Sequence, residues 1–344
     1  MSIPLSPYQI GVLLAILSGF TFTAMSLWAR TLQQREGMVR YFCYFNMAPA
    51  AMALITWAVI WPDLNWPLIR AMLLASAPGL LGILFFGLAL RHGEVSHVAP
   101  VMGGKTLIVT VMAVSLGFES AGPELWAASA VLFVALVLLS GRTDILRKPW
   151  RLAQPSLLLI VLACAGYGAA DVITRQQIET HHLKVWDFLT VGWVMRGTVA
   201  TIFLLVYTRV TRTAFWPRRT STLLITAPAV AAHAILFVTA MKLMNSAIMT
   251  NVLSSLRGLI AVAAVWILGH LNVGRYERLT RRMIVWRLAG SVLVCLAVWI
   301  ALSGANTTQA TPIDLDLNPT PPPTIITTPD TAPTDAPAPD DVAP

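Results

Sequence analysis

The chain has 344 residues, of which 56% are hydrophobic and only 12% are charged, and it carries a net charge of +8. A soluble domain holds roughly 25% charged residues, so these proportions exclude an ordinary soluble enzyme and point to an all-α membrane protein. The basic excess does not call for a nucleic-acid partner. Lys and Arg fall in short loops between apolar runs, and six of the sixteen acids lie after Gly304, where there is no Lys or Arg.

Apolar runs of about 20 residues, each able to cross a bilayer, predict ten transmembrane helices. The first five spans are Gln9–Ala29, Tyr41–Trp61, Leu68–Leu90, Val95–Phe118 and Pro123–Ser140. The second five are Ser156–Thr174, Trp186–Tyr207, Thr222–Met241, Ser246–His270 and Ile284–Leu302. Neither a basic n-region nor a small-residue cleavage site marks the N-terminus, so the first span reads as a retained helix. Cys43, Cys164 and Cys295 are far apart within apolar spans, a pattern of small buried hydrophobes rather than of a disulfide or zinc site. Residues 305–344 hold ten of the 22 prolines with Thr, Ala and Asp, a composition expected to stay disordered.

The second half repeats the first. Aligning Ala99–Gly117 with Asn251–Gly269 on their terminal glycines sets Lys105 against Arg257. Ser76–Leu90 and Thr226–Met241 share an Ala-Pro pair, and Leu139-Ser140-Gly141 matches Leu302-Ser303-Gly304. Gly19-Phe20 likewise pairs with Gly166-Tyr167. The chain therefore divides into a five-helix unit at 9–142, a basic linker at 143–155, a second five-helix unit at 156–304 and the tail at 305–344. Five is odd, so the two units cross the membrane in opposite senses. That is the inverted repeat in which a substrate site forms near the midplane.

Two five-helix halves, the Gly-aromatic pairs, Arg196 in the seventh span, and a Leu-Gly ending to the fourth and ninth spans resemble the EamA-type branch of the drug/metabolite transporter superfamily. The resemblance covers about Gln9 to Gly304. The glutamate that often follows the fourth span's Leu-Gly is Phe118 here, with Glu119 one step later; after the ninth span it is His270. The second span has Asn46 where the seventh has Arg196. The resemblance implies a ten-helix secondary transporter of the cell inner membrane. It implies export of amino acids, other metabolites or drugs, with no cofactor and no catalytic set.

The residues themselves point the same way. A guanidinium mid-span costs about 2.5–3.5 kcal/mol on insertion scales, so Arg257 should face protein or water. Lys105 and Arg257 together read as a cationic pair for an anionic group, or as structural ion-pair partners. Asn251, Ser254, Ser255 and Gly258 recur at helical spacing beside Arg257, forming one small polar face that lines a cavity or packs tightly on a neighbour. Asp171 shares a face with Tyr167 and Arg175. It reads as a proton-coupling or substrate-amine site, or as a salt-bridge partner of Arg196 or Arg175. Arg196, with Trp193 at i−3, is a substrate ligand with a cation–π contact or a tie between helices. His233 reads as a hydrogen-bonded core histidine or a proton relay.

Three cations against Asp171 favour a substrate with a carboxylate or phosphate. The expected partners are a small-molecule substrate and the lipid bilayer. A lipid or lipid-carrier flippase is the alternative, and a membrane sensory subunit comes after it. Gly103-Gly104-Lys105-Thr106 lacks the leading glycine and strand of a phosphate-binding loop. His181-His182 are adjacent, without further ligands, so no metal site is expected. The basic residues cluster after the odd-numbered spans 1, 5, 7 and 9. Positive-inside reasoning thus places both termini outside the cytoplasm.

Overall fold

A computed structural model describes residues 5–92, 102–139, 155–217, 220–270 and 281–309. The 143–154 part of the basic linker and the tail from residue 310 lie outside the described residues. Every regular element among the described residues is helical. The chain runs α1 Pro7–Glu36, α2 Met38–Ile60, α3 Trp66–His92, a 3-10 turn at Met102–Gly104, α4 Lys105–Ser115 and α5 Pro123–Leu139. It continues with α6 Pro155–Thr180, α7 Val185–Thr211, α8 Thr220–Met244, α9 Ala247–Ser254, α10 Arg257–His270 and α11 Arg281–Gln309.

Local chemistry sets several of these boundaries. Ser6 and Gln9 form a reciprocal capping box at the start of α1, with Pro7 at the first helical position. Gly37, at φ +79°, then separates α1 from α2. Gly117, at φ +69°, ends α4 in a left-handed conformation that costs glycine nothing, and the amides of Phe118 and Glu119 close back onto the Ala113 carbonyl. Among the described residues, seven helices are long and apolar enough to cross a membrane: α1, α2, α3, α6, α7, α8 and α11. Shorter apolar helices lie at Lys105–Ser115 and Pro123–Leu139, and α9 with the start of α10 forms a further apolar stretch at Ala247–Ala261.

The helices pack in preferred pairs: α1 on α8, α3 on α6, α2 on α7 and α5 on α11. Glycine makes the α3–α6 approach close. A side chain at Gly166 would meet the backbone of Pro78 and Gly82 at under 3 Å. Outward-facing Ile55, Val59, Val199, Val210, Leu288 and Val292 remain exposed in the isolated chain. An apolar belt of this kind on helices with internally satisfied backbones is what a bilayer accepts. The chain is a multi-pass helical membrane protein.

The ninth apolar run differs from its sequence expectation. Ser246–His270 is not one continuous helix. It breaks at Ser255-Leu256, where the backbone tightens: the Leu256 amide donates to the Leu253 carbonyl and the Gly258 amide to that of Ser255. Ser254 Oγ donates to the Asn251 carbonyl, Ser255 Oγ to that of Val252, and Thr106 Oγ1 from α4 also reaches Asn251 O. Within the fourth run, α4 begins only at Lys105, after the Gly103-Gly104 pair; residues 95–101 lie outside the described residues. The last helix extends past Gly304 to Gln309, into the stretch expected to open the tail.

Candidate functional site

The start of α4 and the break between α9 and α10 meet inside the protein. Lys105 is the first residue of α4 and Arg257 the first of α10. A helix N-terminus carries partial positive charge and orphan amide donors, so a cation there is unfavourable by about 0.3–1 kcal/mol. Both side chains are nonetheless buried, at 5% and 2% exposure.

Their compensation is unequal. Lys105 Nζ lies 2.5 Å from Asp171 Oδ2, and Asn251 Nδ2 donates to the same oxygen at 3.0 Å. Asn251 also donates to the Ala247 carbonyl at 2.9 Å, which leaves its own buried side-chain oxygen without a partner. Lys105 lies 4.9 Å from the Phe237 ring centroid. Arg257 has no carboxylate within ion-pair distance among the described residues. Its Nη2 donates to the Met102 carbonyl at 2.9 Å, its guanidinium sits 4.3 Å over the Phe22 ring, and its Nε is buried without a partner. Arg196 similarly lacks an ion pair among the described residues. Only its Nε is engaged, with the carbonyl of Gly192 in its own helix.

These groups line one cavity of about 130 Å³, walled by Phe22, Phe45, Tyr167, Trp193 and Phe237. Seven of the eight residues singled out from the sequence lie on it: Asn46, Lys105, Tyr167, Asp171, Arg196, His233 and Arg257. The eighth, Asn251, sits behind the lining and reaches it through Asp171. His233 Nδ1 is 3.0 Å from the Ser18 carbonyl. A carbonyl only accepts, so Nδ1 carries the hydrogen and a neutral ring leaves Nε2 as an acceptor. The ring packs against Phe22 and Phe237.

Some partners differ from the sequence expectation. Asp171 pairs with Lys105, not with Arg196 or Arg175. Cation–π contacts are made by Arg257 on Phe22 and by Lys105 on Phe237, rather than by Arg196 on Trp193. Arg175 turns away to Glu119 and Glu179 and to the carbonyls of Phe118 and Asn245. Phe20 of the Gly-aromatic pair is half exposed, whereas its match Tyr167 lines the cavity.

Sequence reasoning gave no role to Phe22 or Glu119. Phe22 is one apolar residue in an apolar span, with no local signal. Glu119 is an acid displaced one place from the expected position, and its role depends on residues far along the chain. Its carboxylate accepts from Ser246 Oγ at 2.8 Å and from the amides of Ala247 at 2.7 Å and Ile248 at 3.4 Å, capping α9. Glu119 thereby ties the end of α4 to the start of α9.

No protein-family model matches the chain, and no curated protein does. Solved structures do match, 27 chains in all. One is described only as "Crystal structure of protein" and aligns with a TM-score of 0.61 at 13% identity, over 88% of this chain and 98% of that one. At that identity the likeness concerns the fold alone, and it extends over nearly the whole of the matched chain.

Proposed function

We propose that this protein is a secondary transporter of EamA type, in the drug/metabolite transporter superfamily. It moves a small polar or anionic metabolite across the cell inner membrane by alternating access. In this reading ten spans form two inverted five-helix repeats, with α9 and α10 together making the ninth. The helix pairing supports it. Exchanging the first span with the sixth and the third with the eighth turns the α1–α8 contact into the α3–α6 contact. The α2–α7 and α5–α11 contacts map onto themselves. The cavity lining pairs in the same way, with Asn46 matching Arg196, Ile83 matching His233 and Lys105 matching Arg257.

The observation that carries the proposal is a central cavity beside the start of α4 and the α9–α10 break, lined by three cations and one carboxylate. Uncompensated charge in the membrane interior costs several kcal/mol and is retained where it serves an ion or substrate pathway. The volume is smaller than the roughly 300 Å³ at which drug-sized ligand pockets begin. The cavity as it stands therefore suits a small solute. Proteoliposomes supplied with labelled small organic acids, amino acids and phosphate test the proposal. Accumulation of at least one solute above protein-free vesicles is expected; uptake of none by folded protein contradicts it.

A further inference from the structure

The two matching cations are not equivalent, and the difference lies in what α1 and α6 bring to them. Gly19 of α1 packs against the backbone at Arg257, and Gly168 of α6 against Val109, Ile108 and, slightly farther, the Lys105 side chain of α4. Three residues on from each glycine stand Phe22 in α1 and Asp171 in α6, a register set by these contacts and two residues out of step with the Gly19-Phe20 and Gly166-Tyr167 match in the sequence. Asp171 neutralises Lys105 with a carboxylate, whereas Phe22 offers Arg257 only a ring face. A ring face stabilises a desolvated cation without cancelling its charge.

The charge left in the cavity is therefore specific. With Lys105 and Asp171 paired, Arg257 and Arg196 remain, a formal +2 from three cations and one carboxylate on the lining. They come from different helices, α10 and α7, and each has guanidinium N–H groups without a protein acceptor among the described residues. Burying two such groups unpaired is costly, and a bound ligand of matching charge removes most of that cost. At about 130 Å³ the cavity is small. Room of that size favours a compact ligand.

We infer that the cavity takes a compact dianion, with negative charge met by Arg257 on one side and Arg196 on the other, the Lys105–Asp171 pair leaving this the charge that is recognised. The ligand is either a short dicarboxylate or a small phosphate. The inference rests on the transporter reading of this cavity. It goes further by fixing the ligand's charge and by giving Arg196 and Asp171 opposite effects on it.

The test is equilibrium binding to purified full-length protein at neutral pH, with succinate, inorganic phosphate and pyruvate as probes, on wild type and on Arg196→Gln. Arg196 pairs with no carboxylate, so its removal orphans none and the variant should fold; if it does not accumulate, Arg257→Gln serves the same comparison. At least one dianion should bind about tenfold or more tighter than pyruvate, the size of one charge-assisted contact. Arg196→Gln should reduce that preference to about threefold or less while changing pyruvate affinity little. Succinate without phosphate identifies two separated anionic groups, and phosphate without succinate a single group between the guanidiniums; either supports the inference. Pyruvate bound as tightly as both dianions overturns it and leaves the transporter reading standing. Absence of binding by all three overturns it together with the anionic reading of the site.

Discussion

Asp171 on α6 and Lys105 at the start of α4 meet at 2.5 Å in the interior of the protein, with side chains 15% and 6% exposed. Breaking such a pair from one side leaves a buried charge uncompensated, which costs about 3–5 kcal/mol; replacing both partners together is far better tolerated. Lys105→Met should therefore lower thermal stability sharply. Lys105→Met combined with Asp171→Leu should recover most of the loss. Thermal unfolding of the single and double variants checks this, and equal destabilisation in both would argue against a closed pair.

Phe22→Leu removes the ring over Arg257 together with the ring contacts to His233 and Phe86. Loss of a desolvated cation–π contact and some buried area should cost about 2–3 kcal/mol. Phe20→Leu, two residues earlier on the exposed face, should change stability little. The comparison can be read from the thermal midpoints of the two variants.

Much of this site was legible in the sequence because a charge or polar group stands out in an apolar span. Lys105, Asp171, Arg196, His233 and Arg257 each break a hydrophobic run, and all converge on one cavity. Who pairs with whom was not legible. Asp171 has Arg175 four residues away on its own helix, yet its partner comes from α4, 66 positions earlier in the chain. The break at Ser255-Leu256 was hidden for a different reason. Hydroxyl residues at helical spacing describe a packing face as well as they describe an interruption. Only the backbone bonds from Leu256 and Gly258, which reach back three residues instead of four, tell the two apart.

Gly166→Val tests the α3–α6 contact. A Cβ there would stand 2.7 Å from the Gly82 amide nitrogen and 2.8 Å from the Pro78 carbonyl. Those are backbone atoms that cannot rotate aside, so the helices must separate. The variant should be among the most destabilising single substitutions in the protein, costing several kcal/mol. Gly104→Ala, whose Cβ meets only a Phe133 carbon at 3.7 Å, should fold normally. Expression and unfolding midpoint distinguish the two.

Glu119→Ala removes the acceptor shared by Ser246, Ala247 and Ile248 at the start of α9. Ser246 Oγ still caps Met249, and Arg175 keeps Glu179, so the loss should be limited to about 1–2 kcal/mol. Amide hydrogen exchange should accelerate at Ala247 and Ile248 while Val252 and Leu253 stay protected. Unchanged exchange at the first two would show that the carboxylate does not hold that helix end.

The most direct measurement compares transport by wild type and Arg257→Gln, reconstituted in equal amounts and matched for thermal stability. Arg257 neutralises no carboxylate among the described residues, so glutamine should leave the fold intact and forfeit mainly the bond to the Met102 carbonyl and the Phe22 contact. If the cavity is where an anionic solute is carried, uptake of that solute should fall by about tenfold or more with the protein still folded. Uptake at the wild-type rate would mean that the solute passes elsewhere and that the buried guanidinium is a structural group.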